Sequence, residues 1–150
     1  GQNIAAGKME RIKKLMRVSV RISIVVSSCF ALIYVLFPHF VFGLFNSGTE
    51  ILESSESYAP IVAVAVLAFG FSSPFYGLVN GIGYASFSMI SALLDGVIAR
   101  VGLSLLFGIG LNMGLTGFWW GEALSGFVSV ILLLIYYLSG RWNTRKLSIN

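Results

Sequence analysis

Three acidic or basic side chains that are charged at pH 7 lie inside stretches of sequence that are otherwise apolar: Asp95, Arg100 and Glu122. A charged group within an apolar helix is costly, so such residues usually pair with one another, bind an ion or relay a proton. At a rise of about 1.5 Å per residue, Arg100 and Glu122 are predicted to lie level on neighbouring helices, which favours a structural ion pair. Asp95 is roughly 140° around an α-helix from Arg100, so these two side chains are not expected to face each other.

Asp95 is therefore a candidate for binding a proton or another cation. We expect it to lie level with a break in the preceding apolar stretch, at Gly70–Pro74, because Pro74 removes a backbone donor. Groups freed at such breaks line binding cavities in some transport proteins. The candidate residues of this ion or substrate pathway are Asp95, Ser72, Ser73, Pro74 and Tyr76. The alternative for Gly70–Pro74 is a simple kink that is healed by Ser72 or Ser73. The alternative for Asp95 is that it bonds a neighbouring hydroxyl or reaches Arg100.

Catalytic and metal-binding patterns are missing from the sequence. Cys29 is the one cysteine and His39 the one histidine, so neither a disulfide nor a cluster of metal ligands is expected. We therefore predict no enzyme activity, no metal and no cofactor. Pro38 before His39 is expected to end or bend its helix.

Four long apolar stretches carry these residues. Their bounds are 22–45, 58–79, 87–110 and 117–138. About 20 residues suffice for a helix to cross the roughly 30 Å of bilayer hydrocarbon. Composition agrees: the chain is 57% hydrophobic with a mean hydropathy of +0.88, and its 11% of charged residues is well below the roughly 25% of soluble domains. The sequence predicts an all-α membrane protein with four transmembrane helices.

The distribution of charge predicts the orientation of these helices. Basic residues precede the first stretch, within 1–21, and follow the last, within 139–150, whereas the segment between the first two stretches carries only acids. Basic flanks remain cytoplasmic, so we expect a basic loop (1–21), four spans (22–138) and a basic tail (139–150). Both ends of the chain are then expected on the cytoplasmic side of the plasma membrane. The basic start also has helical spacing and is expected to lie along the inner membrane surface before turning into it. Because the bases lie at membrane edges, no nucleic-acid partner is expected.

Small and aromatic residues suggest how the helices pack. Small residues recur four apart at Gly77/Gly81, Ala92/Gly96, Gly110/Gly114 and Gly117/Gly121. Such pairs let helix backbones approach closely in lipid.

Aromatic residues near the ends of the last span are typical of an interfacial belt: Trp119, Trp120, Tyr136, Tyr137 and Trp142. A second aromatic group lies near Pro74, where it could line a cavity for flat cations or face lipid: Phe71, Phe75, Tyr76 and Phe87.

A family resemblance follows from several motifs in order. The start of the chain, with Gly1, Gln2, Asn3 and Gly7 ahead of the basic run, resembles the GQN-x-GAG-x-x-x-R loop of the multidrug and toxic compound extrusion (MATE) transporters, with Ala5 in place of a usual Gly. The later motifs are Leu44-Phe45, Tyr58-Ala59-Pro60, the run Gly114–Trp119 and Ser139-Gly140-Arg141-Trp142. The resemblance covers essentially the whole chain.

The resemblance implies a fragment of a larger transporter. Family members have about twelve helices in two six-helix lobes, so this chain is similar to helices nine to twelve of the C-terminal lobe, and the N-terminal lobe would be its partner. The family exports small cationic amphipathic compounds in exchange for Na⁺ or H⁺. One departure is that span 58–79 has no carboxylate, whereas some members bind the coupling cation with one there.

Two alternatives stay open at this point. A related flippase for lipid-linked oligosaccharides would favour several basic residues in its groove, where only Arg100 qualifies. The chain could also be a small four-helix structural membrane subunit, which the coding sequence upstream of Gly1 would distinguish.

Overall fold

The computed structural model describes Ala6, residues 8–45 and residues 48–143, with the side chains of 50–52 left aside. Its helices are α1 (Met9–Leu36), α2 (Pro38–Gly43), α3 (Thr49–Gly81), α4 (Ala85–Gly110) and α5 (Gly114–Leu138), followed by one 3₁₀ turn (Arg141–Asn143). The described residues contain no strand. The four long helices are apolar enough to cross a membrane, which confirms the predicted all-α membrane fold.

Helix α1 begins earlier than the predicted first span. The sequence predicted a separate basic segment up to residue 21, but the chain is one uninterrupted helix from Met9 to Leu36. Its first turns are held by Ile12 and Met16, which are buried in the core at 4% and 5% exposure. That packing makes the basic segment continuous with the rest of α1, and its position relative to the membrane surface stays a prediction.

The end of α1 agrees with the prediction for Pro38. The helix stops at Leu36, Phe37 leaves the helical conformation, and Pro38 starts the short helix α2 at a position where its missing N–H costs nothing. The predicted span 22–45 is therefore two helices joined at Phe37.

Helix α3 continues through both of its prolines, Pro60 and Pro74. The predicted break at Gly70–Pro74 is therefore wrong, whereas the alternative of a simple kink within the helix stays a prediction. The helix also includes acidic residues predicted to lie in a loop, Glu53 and Glu56. Its 33 residues correspond to about 50 Å, so it is longer than the bilayer core.

Helix α4 alternates between two kinds of winding. The segments Ala85–Leu93 and Arg100–Leu105 are α-helical, whereas Leu94–Ala99 and Leu106–Gly110 are π-helical. In the first π segment the backbone N–H of Arg100 donates to the carbonyl of Asp95, five residues earlier. Such wide turns are rare and frequently occur at functional sites.

The helices pack in the order α1, α3, α5, α4. Gly70 on α3 touches Ser27 on α1, where an added Cβ would overlap the serine side chain. On α5, a Cβ at Gly117 would lie 2.6 Å from the Phe107 backbone, and one at Gly121 would overlap the Ser104 backbone. The predicted pair Gly117/Gly121 thus makes a close contact with α4, whereas Cβ atoms at Gly77, Gly96 and Gly114 would meet no atom within 4 Å.

A buried apolar cluster lies where α1 begins and α5 ends. Its buried members are Ile12, Met16, Phe75, Leu78, Val79, Ile82, Leu133 and Trp142. We call this the basic end, because Arg17 and Arg21 leave α1 beside it. Trp142 is only 3% exposed and its indole N–H donates to the carbonyl of Tyr137. The prediction that Trp142 belongs to an interfacial belt is therefore wrong: it packs inside the protein.

Candidate functional site

A cleft of about 270 Å³ lies between α3, α4 and α5. Its lining includes Tyr58 and Trp119 towards one end and Tyr76 and Asp95 towards the other. Tyr58 and Tyr76 are 18 positions apart on α3, roughly 27 Å along the helix axis. The cleft therefore extends over most of the thickness of a bilayer core.

Arg100 and Glu122 form an ion pair in the middle of this cleft. Arg100 Nη1 lies 3.3 Å from Glu122 Oε1, which joins α4 to α5. The structure thus brings together the two residues whose levels were matched from the sequence. Their side chains are 47% and 53% exposed, so within this chain the pair lies at the wall of the cleft and not deep among packed side chains.

Asp95 belongs to a polar network that joins three helices. Ser129 Oγ on α5 lies 3.0 Å from Asp95 Oδ2 and 3.2 Å from the Ser91 carbonyl, both on α4. Tyr76 Oη on α3 lies 2.8 Å from the same Ser129 oxygen. Because a serine has one hydroxyl proton, Ser129 can donate to only one of its two acceptors at a time, while accepting from Tyr76.

Two buried oxygen atoms of this network have no hydrogen-bond partner among the described residues. They are Asp95 Oδ1 and Ser91 Oγ. A buried carboxylate oxygen without a donor costs free energy unless a proton, a cation or water reaches it. The network is therefore suited to hold one small positive charge at the wall of the cleft.

Other charge in the cleft is already balanced. Arg100 and Glu122 offset each other, so Asp95 is left as the uncompensated charge of the lining. In the part of the chain that the structure describes, no group of three or more His, Cys, Asp or Glu side chains is arranged to hold a metal ion. A single carboxylate matches the charge of a monovalent cation or a proton better than that of a divalent ion.

The predicted pathway residues are only partly in the cleft. Asp95, Ser72 and Tyr76 line it, whereas Ser73 points to the outside of the bundle and Pro74 is buried elsewhere. Ser72 donates to the Phe69 carbonyl at 3.1 Å. Of these residues, Asp95 and Tyr76 therefore present the polar atoms that meet in the network.

The aromatic group near Pro74 does not form one cavity. Phe75 packs edge-on against Tyr137 in the core, with centroids 5.5 Å apart, and Phe87 stacks on Tyr84 at 5.4 Å. Only Tyr76 of that group lines the cleft. A shared cavity for flat cations, one of the two alternatives for this group, is therefore not formed among the described residues.

A different aromatic series borders the other end of the cleft. Tyr58 on α3 and Trp119 on α5 lie with centroids 4.8 Å apart, and Phe42 on α2 lies 5.8 Å from Tyr58. We call this the acidic end, because Glu53 and Glu56 are on α3 nearby. His39 Nε2 lies 3.5 Å from Glu56 Oε1 and connects α2 to α3 there.

Sequence reasoning missed Ser91, Ser129, Tyr58 and Trp119 as residues of the site. A hydroxyl in an apolar stretch gives no distinct signal, since serines are tolerated in membrane helices for packing. Ser91 four residues before Asp95 was the available sign, because that spacing places both on one helix face. The motif residues Gly1, Gln2, Asn3 and Gly7 lie outside the described residues.

Comparison with known proteins places this geometry in context. The sequence model of the MatE family matches residues 1–98. The chain is similar to a protein described as probable multidrug resistance protein NorM from Thermotoga maritima, with 24% identity over 145 residues. That match covers 97% of this chain and 31% of the relative, so the chain spans about a third of the relative's length. No solved structure matches the chain significantly.

Proposed function

The chain belongs to the multidrug and toxic compound extrusion family, and we propose that it forms part of a secondary transporter that exports cationic amphipathic compounds in exchange for Na⁺ or H⁺. We place its long helices as the last four of a twelve-helix protein in the plasma membrane, with both ends of the chain cytoplasmic. The remaining helices, including an N-terminal lobe, would complete the pathway.

The observation that carries the proposal is the network around Asp95. Its carboxylate is held by Ser129 from α5, Ser129 is held by Tyr76 from α3, and one carboxylate oxygen is buried without a donor. A charge so placed within a membrane helix is best explained by a positive charge that binds and leaves.

The cleft also suits an amphipathic cation. Its lining is mainly apolar, aromatic rings of Tyr58 and Trp119 border one end, and Asp95 lies towards the other. Aromatic faces attract organic cations, and a carboxylate supplies the opposite charge. Asp95 can then bind either the coupling cation or the substrate. Competition of the two for one carboxylate would couple the movement of one to that of the other.

The flippase alternative is less well supported by the same cleft. Its one basic lining residue within the described chain is Arg100, and Glu122 already offsets that charge. An anionic sugar–phosphate lipid would need free cationic groups in the groove.

Transport in vesicles tests the proposal. The full-length protein would be placed in vesicles with a fluorescent organic cation, and an inward-directed Na⁺ gradient or pH gradient would be imposed separately. We expect one of the gradients to drive export, and Asp95→Asn to reduce that export at least about tenfold at equal expression. Ser73→Ala, on α3 but outside the cleft, is the matched control and should transport normally.

The outcomes separate the two parts of the proposal. Export by neither gradient in the wild type would contradict the antiport function. Undiminished export by Asp95→Asn, with the wild type active, would remove Asp95 from the mechanism and leave the function standing.

A further inference from the structure

A second groove lies at the basic end of the bundle, apart from the cleft of Asp95. It has a volume of about 270 Å³ and is formed by Met16, Arg17, Val20 and Arg21 on α1, Phe75 on α3 and Tyr137 on α5. Its floor is fixed, because Tyr137 packs on Phe75 at 5.5 Å and stacks on the buried Trp142 at 5.6 Å. The groove is thus a feature of three packed helices and not of a loose terminal arm.

The two arginines of the groove lie on one face of α1. Arg17 and Arg21 are four residues apart, so their side chains leave the helix one turn apart on the same side. Neither guanidinium forms an ion pair with an acidic side chain of the described residues. The nearby acid on this helix, Glu10, is already paired with Lys13 at 2.8 Å. Two guanidinium groups are therefore left facing an apolar groove.

The position of the groove indicates what could fill it. Arg21 directly precedes the apolar part of α1 that starts at Ile22, so we expect the arginines to lie at the level where lipid phosphates meet hydrocarbon. The rest of the lining is apolar: Met16, Val20 and the rings of Phe75 and Tyr137. A molecule with a phosphate at one end and an acyl chain at the other matches both parts.

We propose that this groove is a binding site for one anionic phospholipid, whose phosphate is held by Arg17 and Arg21 and whose acyl chain lies against Val20 and Phe75. Guanidinium groups bind phosphate oxygens through paired, charge-assisted hydrogen bonds. Basic pockets between membrane helices near the cytoplasmic side are suited to anionic headgroups. The bound lipid would brace the start of α1 against α3 and α5, and this role does not depend on what the protein transports.

Lipid binding to the purified full-length protein in neutral detergent tests this site. Native mass spectrometry would count bound phosphatidylglycerol during a titration, with phosphatidylcholine of identical acyl chains as the comparison. Neutral detergent is needed because an anionic bilayer would attract every basic residue of α1 alike. We expect one phosphatidylglycerol to be retained in preference to phosphatidylcholine.

Matched double variants then locate the binding. Arg17→Ala with Arg21→Ala should weaken phosphatidylglycerol retention roughly tenfold or more, since two charge-assisted contacts are lost. Arg11→Ala with Lys14→Ala removes the same charge from exposed positions of α1 outside the groove and should change retention less than about threefold. Equal losses in the two double variants would overturn the proposal, because they would indicate attraction by net charge alone.

The acyl chain is tested by a variant that keeps both arginines. Val20→Trp should fill the groove and lower phosphatidylglycerol retention, and thermal unfolding in the same detergent checks that the variant is folded. Unchanged phosphatidylglycerol retention would overturn the proposed placement of the acyl chain in the groove. Absence of a preference for phosphatidylglycerol in the wild type, or equal protection against unfolding by inorganic phosphate, would overturn the lipid as occupant.

Discussion

The hydroxyl of Ser129 on α5 lies 3.0 Å from the carboxylate of Asp95 on α4. The hydrogen bonding of Asp95 therefore depends on the position of α5, because Ser129 is buried at 1% exposure and also contacts Tyr76. Any movement of α5 relative to α4 would therefore change the hydrogen bonding of Asp95. The exchange transport proposed above would require such a link between a binding site and helix position.

Ser129→Ala is expected to destabilise the protein by about 1–3 kcal/mol, because it leaves the Tyr76 hydroxyl and Asp95 Oδ2 without their shared partner. Tyr76→Phe should cost less, about 1 kcal/mol, since Ser129 keeps its acceptors on α4. Ser57→Ala is the control: Ser57 is exposed and its hydroxyl donates to the Ser54 carbonyl within α3, so the loss of stability should be near zero. Thermal unfolding in one detergent measures all three. A loss in Ser57→Ala equal to that in Ser129→Ala would contradict the assigned network.

Gly121→Ala is expected to destabilise by about 1–3 kcal/mol, because a Cβ there would overlap the backbone of Ser104 on α4 and separate the helices. Gly102→Ala provides the comparison. A Cβ at Gly102 meets no atom within 4 Å, and alanine is the better helix former, so stability should stay equal or rise. Thermal unfolding of the two variants checks this. The same loss in both would show that the contact between α4 and α5 is not the cause.

The orientation of the helices stays a prediction that labelling can check. In a Cys29→Ala background, a cysteine in place of Ser54 at the acidic end should react with an impermeant thiol reagent on intact cells, and one in place of Ser148 should not. The reason is that basic flanks stay in the cytoplasm. The reverse pattern would invert the whole arrangement and place Arg17 and Arg21 outside.

The fold could be predicted from the sequence to the extent that lipid restricts it. The four apolar stretches were expected to be helices, because only helices and closed barrels satisfy their backbone hydrogen bonds in a bilayer, and each stretch is longer than a barrel strand. The ends of the helices were less predictable. Ile12 and Met16 extend α1 by packing into the core, and the acidic start of α3 continues its helix beyond the apolar region. The mean hydropathy of these segments shows neither effect, although the helical spacing of the basic start did indicate a helix there.

The candidate site was half predictable for a related reason. The heights of Arg100 and Glu122 along their helices can be estimated by counting residues, and the two side chains do form an ion pair. Asp95 and Arg100 were expected not to face each other, and the described residues show no ion pair between them, although both line the cleft. In the π segment Leu94–Ala99, the Arg100 N–H reaches the Asp95 carbonyl five residues back, and both side chains line one cleft. No pattern in the sequence marked that wider turn.

The stability losses caused by mutating Arg100 and Glu122 should be the least additive, because the two residues form an ion pair. Arg100→Met or Glu122→Gln alone is expected to cost about 1–3 kcal/mol, between the values of exposed and buried pairs, because both side chains are about half exposed and each leaves its partner's charge uncompensated. The double variant should recover much of this loss, since no lone charge remains. A double-mutant cycle on thermal unfolding of the full-length protein measures the coupling. Plain addition of the two single losses would mean that the 3.3 Å contact contributes no coupling energy, and that each residue acts through other neighbours.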